Sequence, residues 1–180
     1  RVIDGRPETI RQTCEAALKR LQTDVIDLYY LHRWDKKVPI EDSVGALSDL
    51  VRQGKIQTIG LSEVSAVTLK KAHAVHPITA VQTEYSLWTR NPEIAVLKAC
   101  QEIGTSFVAF SPVARGFLCS ELDVGAFDAK DIRKSMPRFT AENYAANFKL
   151  FAPYQQLAHE AGCTASQLAL AWLLHQSEHI

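Results

Sequence analysis

Apolar and polar residues alternate along the chain with two different periods. Over residues 7–21 the apolar positions recur at helical spacing, so that Ile10, Cys14 and Leu18 share one face of a helix beginning at Pro7. Residues 24–31 form instead a short run of β-branched, aromatic and leucine side chains, which predicts a buried strand.

The same two patterns repeat toward the C-terminus. Further strands are predicted at residues 56–61, 78–83 and 107–110. Further helices are predicted at residues 41–53, 65–76, 92–103, 141–161 and 165–176, with a long polar loop over 112–139. Asn91 is expected to cap the helix that starts at Pro92, and Thr164 with Gln167 forms a capping-box pair before the last helix.

Strands that alternate with helices predict βα units and a parallel sheet. A closed (β/α)₈ barrel and an open doubly wound sheet both fit this alternation. No G-x-G-x-x-G follows any strand, which disfavours the dinucleotide-binding open sheet. Because a barrel needs about 250 residues, we expect residues 1–180 to be one partial barrel domain. It would cover roughly the later half to two-thirds of the barrel, lacking the first strands and the last strand and helix.

Composition narrows the class of protein. The chain has 180 residues, equal numbers of acidic and basic residues (20 each) and 47% apolar residues, as expected for a globular protein with a core. The balanced charge argues against nucleic-acid binding, and no apolar run is long enough to predict a membrane span or a signal peptide. The four cysteines have no C-x-x-C spacing, which favours reduced thiols in the cytoplasm and predicts no metal site.

Polar side chains follow each predicted strand. His32, Ser62, Gln82 and Ser111 come directly after apolar runs, and in parallel α/β proteins the carboxyl ends of the strands carry the site. These groups can hold an amide and polarise a carbonyl. We therefore expect a cofactor to supply the harder chemistry.

Several motifs in the order found here resemble the aldo-keto reductases. They are residues 20–35 (RLQTDVIDLYYLHRWD), Gly60-Leu61-Ser62, residues 81–86 (VQTEYS), residues 109–118 (AFSPVARGFL), Pro137-Arg138-Phe139 and residues 167–174 (QLALAWLL). The similarity extends over nearly the whole chain. It is greatest to the bacterial, fungal and plant branch that acts on general aldehydes and ketones.

The resemblance implies a (β/α)₈ TIM barrel that reduces small carbonyl compounds with NADPH, without metal or flavin. Of the family's Asp, Tyr, Lys and His tetrad, only the His has a counterpart here, His32, which would orient the carbonyl. The positions that would contact the cofactor are Ser62 and Gln82 at the nicotinamide carboxamide, Phe110 under the nicotinamide ring, and Ser111, Pro112, Val113, Arg115, Gly116 and Leu118 around the pyrophosphate. Trp34 and Trp88 would line the substrate pocket, and a homo-oligomer is compatible with the family.

Three departures from the family pattern leave questions open: Glu63, the residues for the adenosine 2′-phosphate, which would follow Ile180, and the catalytic tetrad. Many members have Asn where this chain has Glu63, and a carboxylate cannot donate to a carboxamide oxygen. The preference for NADPH over NADH rests on the family alone. Since the tetrad Asp, Tyr and Lys have no counterpart, we expect the 180 residues alone not to turn over substrate.

The barrel fold is also compatible with three other interpretations. They are a regulatory subunit of the potassium-channel type, a non-catalytic truncated paralogue, and a different barrel enzyme such as an aldolase or isomerase. The last would need a Schiff-base Lys or paired carboxylates at strand ends, and the sequence shows neither.

Overall fold

A computed structural model describes residues 2–180. In this part of the chain there are four strands: Ile26–Leu31 (β1), Ile56–Ser62 (β2), Ala80–Glu84 (β3) and Ser106–Phe110 (β4). The α-helices described there are Pro7–Leu21 (α1), Ile40–Arg52 (α2), Ala66–Val75 (α3), Val96–Ile103 (α4), Ala141–Phe148 (α5), Phe151–Glu160 (α6) and Ala165–Leu174 (α7). Among residues 2–180, no helix has the length and apolarity needed to cross a lipid bilayer.

The four strands form one parallel sheet in the order β1-β2-β3-β4. Each strand is added beside its predecessor, so right-handed crossovers place the connecting helices on one face of the sheet. A doubly wound sheet reverses its strand order at a switch point, and the described strands show no such reversal. Of the two architectures that fit the alternation of elements, the strand order therefore favours the barrel.

The two faces of the sheet differ in burial. Ile59, Leu61 and Val81 are fully buried on the helix-covered face. Residues of opposite parity lie on the other face, where Val108 and Phe110 are 37% and 43% exposed. Successive side chains along a strand therefore point alternately to the buried, helix-covered face and to this more exposed face.

The helices α1 and α2 bury the faces that the apolar spacing predicts. Ile10 and Cys14 of α1, and Val44 and Leu47 of α2, are between 0% and 4% exposed. Helix α2 is followed by Gly54 in the left-handed conformation (φ 71°), which glycine adopts without a steric cost.

Two predicted helix boundaries are wrong. Asn91 does not cap an α-helix: residues 91–94 form a 3₁₀ turn, and Ala95, whose backbone is not helical (φ −156°, ψ −32°), separates it from α4. The single helix predicted over 141–161 is two helices, α5 and α6. Pro153 lacks the N–H that would bond to the carbonyl of Lys149, which explains the interruption at residues 149–150.

The described residues form two compact units. The sheet unit comprises residues 2–84, 91–110 and 179–180, and the helical unit comprises residues 85–90 and 111–178. In the sheet unit, the backbone N–H of Phe107 donates to the carbonyl of His179 at 2.6 Å, on the outer edge of β4. The single domain that the sequence predicts over residues 1–180 stays a prediction.

The helical unit has an aromatic core of its own. The ring of Phe117 packs edge-on against Tyr144 at 5.9 Å between centroids, and Tyr144 stacks on Phe148 at 5.7 Å. The Tyr144 hydroxyl accepts from the backbone N–H of Leu122 at 2.7 Å, which ties the predicted loop to α5. The long segment over 112–139 is therefore anchored and contains three short 3₁₀ turns.

Candidate active site

Three of the predicted site residues lie in one row at the carboxyl edge of the sheet. Ser62 is the register partner of Gln82, and His32 follows Leu31, the partner of Leu61. Neighbouring strands are about 4.8 Å apart, so the row places these side chains side by side. Ser62 and Gln82 have the same parity, which puts both on the open face of the sheet.

Phe110 lies on the same face, one strand further on. Its register partner is Glu84, two residues beyond Gln82, so Phe110 lies about 7 Å further along the strand direction than the Gln82 row. The ring is 43% exposed, which is high for a phenylalanine side chain. The open face therefore combines polar groups with an aromatic surface.

Ser62 is buried, at 5% exposure, and bonds to a residue that the sequence analysis did not single out. The Arg33 guanidinium Nη1 donates to Ser62 Oγ at 2.9 Å and to the backbone carbonyl of His32 at 2.6 Å. Arg33 thus joins the end of β1 to the end of β2. Its position beside His32 in the sequence was the only available signal.

Glu63 has a structural role in this edge. Its backbone N–H donates to the carbonyl of Gln82, and its carboxylate Oε1 accepts from the N–H of Glu84, both at 3.0 Å. Glu63 adopts a left-handed backbone conformation (φ 54°), which costs a non-glycine residue about 1–2 kcal/mol. The two hydrogen bonds hold the residue in this conformation. Its carboxylate is engaged in joining β2 to β3.

His32 borders a cavity of about 440 Å³ beside β1. Tyr29 and Tyr30 both line it, although neighbouring residues of a strand point to opposite faces. The cavity therefore lies along the edge of β1. The ring of Tyr30 covers Gly60, where an added Cβ would be 2.5 Å from two ring carbons.

Trp34 lies in the turn after His32. Its indole N–H donates to the carbonyl of Val38 at 2.9 Å, which closes the turn, and its ring is half-buried. The structure does not group it with the residues that line the cavity beside β1. Its assignment to a substrate pocket stays a prediction.

The segment 111–118 belongs to the helical unit and has an unusual backbone. Ser111, Ala114 and Arg115 have φ between 52° and 58°, and Gly116 has φ 97°. Non-glycine residues in this region cluster at binding and catalytic sites. The strain is thus compatible with a functional loop.

The N–H groups of this segment donate internally. The N–H of Arg115 donates to Ser111 Oγ at 3.1 Å, and those of Gly116 and Leu118 donate to the carbonyl of Val113 at 3.1 and 3.2 Å. In this conformation these N–H groups are therefore committed, and Arg115 brings the positive charge of the segment. Pro112 has no N–H to offer.

Trp88 packs in the aromatic core of the helical unit. Its ring meets Phe117 edge-on at 4.0 Å between centroids, and the guanidinium of Arg138 lies 5.9 Å from the ring. Its role in substrate binding stays a prediction. Among residues 2–180, no group of three or more His, Cys, Asp or Glu side chains is arranged to hold a metal ion.

Known proteins resemble this chain in both sequence and fold. A model of the Aldo/keto reductase family matches residues 2–180. A curated relative from Glycine max, named probable aldo-keto reductase 1, is 47% identical over 178 residues, which are 99% of this chain and 51% of the relative.

Two solved structures share the fold. The structure of a glycerol dehydrogenase from Gluconobacter oxydans matches with a TM-score of 0.89 at 28% identity, covering 97% of this chain and 54% of that one. A thermostable aldo-keto reductase, solved with the inhibitor epalrestat, matches with a TM-score of 0.71 at 29% identity over 95% and 53% of the two chains. The chain spans about half the length of these relatives.

These matches confirm the predicted fold class, since the chain forms a parallel α/β part of the barrel found in its structural neighbours. They also confirm the resemblance drawn from the strand-end motifs. The chain belongs to the aldo/keto reductase family.

Proposed function

We propose that the protein reduces aldehydes and ketones to alcohols with a reduced nicotinamide cofactor. The observation that supports this most directly is the arrangement on the open face of the sheet. Ser62 and Gln82 form a polar pair beside the exposed ring of Phe110. A nicotinamide has matching parts, a carboxamide and a planar aromatic ring, so these residues fit the cofactor that the family implies.

NADPH is the proposed form of that cofactor. Ser62 and Gln82 would hold the carboxamide, and Phe110 would offer its ring to the nicotinamide. Segment 111–118 is proposed to bind the pyrophosphate, supported by its left-handed backbone and by the charge of Arg115. The choice of NADPH over NADH follows the family resemblance.

The cofactor and the protein would contribute different parts of the reduction. When bound, the reduced nicotinamide supplies the hydride that adds to the carbonyl carbon, and the carbonyl oxygen takes a proton. His32 is proposed to orient that oxygen, because it directly follows β1 at the same edge of the sheet as Ser62 and Gln82, and its ring makes no hydrogen bond to another residue among 2–180. The family's proton-donating Tyr, with its Asp and Lys, has no counterpart in these 180 residues.

The substrate is proposed to be a small carbonyl compound. A cytoplasmic location agrees with the four cysteines, all of which are free thiols in the structure. Assembly as a homo-oligomer is a further proposal from the family. No contact within either compact unit favours a channel-subunit or aldolase function over carbonyl reduction.

The test compares two histidine variants of the protein at its expressed length, whose intact mass is measured first. NADPH oxidation is followed at 340 nm with 4-nitrobenzaldehyde as the probe. His32→Ala should lower kcat about 10²-fold or more, because losing the group that orients a reacting atom costs on this scale. The control His159→Ala, an exposed residue of α6, should retain wild-type kcat.

The outcomes are distinct. NADPH binding by calorimetry together with loss of turnover only in His32→Ala supports the reductase. Binding without turnover in the wild-type protein points to the non-catalytic alternative. Absence of NADPH binding at the full expressed length contradicts the proposed function.

A further inference from the structure

The contact between Arg33 and Ser62 determines which way the Ser62 hydroxyl can bond. A guanidinium carries donors only, so Ser62 Oγ must act as the acceptor in the 2.9 Å contact. Among residues 2–180 the Ser62 hydroxyl makes no second hydrogen bond. Its own proton is therefore available to an acceptor on the open face of the sheet.

The neighbouring groups supply the complementary polarity. The carboxylate of Glu63 is engaged by the N–H of Glu84, so it does not compete for the Ser62 proton. The side-chain amide of Gln82 makes no hydrogen bond within the described residues, and its oxygen can accept. The row thus presents a donor at Ser62 beside an acceptor at Gln82.

We propose that Arg33 is a positioning residue that makes Ser62 a hydrogen-bond donor to the ligand's carbonyl oxygen, while Gln82 accepts from the ligand's amide N–H. This inference rests on the proposed function. It specifies the orientation of the carboxamide, whose oxygen faces Ser62 and whose NH₂ faces Gln82. Arg33 acts through Ser62 and does not itself touch the ligand.

The geometry makes Arg33 suited to this role. Its second contact, with the carbonyl of His32 at 2.6 Å, anchors the same Nη1 that meets Ser62. Ser62 is 5% exposed, so water cannot easily replace the guanidinium as its donor. Without Arg33, the hydroxyl can rotate and present either its proton or its lone pairs.

The test uses two oxidised cofactors that differ at one group. NADP⁺ carries a carboxamide, whereas its 3-acetylpyridine analogue keeps the carbonyl oxygen and lacks the NH₂. Calorimetric Kd values are measured for the full-length protein and for Arg33→Met, Ser62→Ala, the double variant and Gln82→Met. Arg20→Met, an exposed residue at the end of α1, is the matched control.

The expected changes in Kd distinguish contacts to the carboxamide oxygen from contacts to its NH₂ group. Arg33→Met and Ser62→Ala should each weaken both cofactors about threefold to tenfold, the range for one hydrogen bond. The double variant should bind no more weakly than Ser62→Ala alone, because both changes remove one interaction. Gln82→Met should weaken NADP⁺ only, and Arg33→Lys, which retains a donor, should recover part of the loss.

Each contrary result has a defined meaning. If Ser62→Ala weakens both cofactors and Arg33→Met leaves them unchanged, or if the two losses add, the role of Arg33 is wrong and the carboxamide site stands. If Ser62→Ala changes neither Kd, the carboxamide site itself is wrong and the inference fails with it. Should Arg33→Met not fold, Arg33→Lys provides the comparison: a Kd between those of the wild-type protein and Ser62→Ala supports the role of Arg33, and a wild-type Kd for both cofactors contradicts it.

Discussion

Gly60 is the position where the packing beside the candidate site can be tested most directly. A Cβ at this residue would lie 2.5 Å from Cδ1 and Cε1 of Tyr30 and 2.9 Å from its Cζ, well inside normal contact distance. The residue lies within β2, and its φ is outside the left-handed region, so the backbone itself tolerates alanine. The steric effect of Gly60→Ala is thereby isolated.

The expected magnitude follows from two opposing effects. Overpacking costs about 1–3 kcal/mol, whereas replacing glycine gains about 0.4–1 kcal/mol by restricting the unfolded chain. The Tyr30 ring also lines the cavity beside β1 and can move toward it. We therefore expect a net loss of about 1–2 kcal/mol in the free energy of unfolding.

Urea denaturation of the wild-type and variant proteins measures this loss. Gly45→Ala is the control, because that glycine lies within α2 and an added Cβ meets no atom within 4 Å. It should gain up to about 1 kcal/mol from helix propensity. Tyr30→Val removes the clashing ring carbons, so Gly60→Ala should cost less in that background.

The reasoning is refuted if Gly60→Ala raises the free energy of unfolding. It is also refuted if Gly60→Ala lowers that free energy by the same amount in the wild-type protein and in Tyr30→Val. The first result would mean that the ring moves aside without losing packing. The second would place the cost in the backbone of β2.

Three further predictions concern stability away from this edge. Thr164→Ala removes the capping box with Gln167, whose two bonds are 3.2 and 2.8 Å, and should cost about 1 kcal/mol in urea denaturation; an unchanged midpoint would contradict this. Ser43→Ala removes the fully buried donor to the Gly5 carbonyl at 2.6 Å and should cost about 1–3 kcal/mol by the same measurement; a loss near zero would show that water reaches that carbonyl. Burial raises the pKa of the Cys100 thiol to about 11, so the folded state retains a proton that the unfolded state releases above pH 9. Stability should therefore fall as the pH rises from about 9 to 11, and Cys100→Ala should flatten that dependence; parallel pH profiles would argue against it.

Local structure was largely predictable because it depends on nearby residues. Helix α1 begins at Pro7 and ends at Leu21, as its apolar spacing predicts. The capping box of Thr164 and Gln167 is present, since both partners lie within one helical turn. The errors, at Asn91 and within 141–161, fall where a turn of 3₁₀ geometry or a proline interrupts an otherwise regular apolar spacing.

The strand-end rule put the candidate residues at the carboxyl edge of the sheet, but it could not predict how far along the strand direction each of them lies. Register pairs Gln82 with Val108, so Ser111 lies three residues past that row and falls in the helical unit. The resemblance puts residues 111–118 around the pyrophosphate, and in the structure the N–H of Gly116 donates to the carbonyl of Val113 within that same segment. Such pairing depends on dihedral angles that residue types alone do not specify.

The sequence by itself determined the strands, the buried helix faces and the polar residues that end each strand, because periodicity and capping act over a few residues. Only the tertiary structure decided the strand order, the common face of Ser62, Gln82 and Phe110, and the contact of Arg33 with Ser62. That contact joins residues 29 apart in sequence across two strands. Its existence depends on parallel register and on a side-chain direction, which are properties of the assembled sheet.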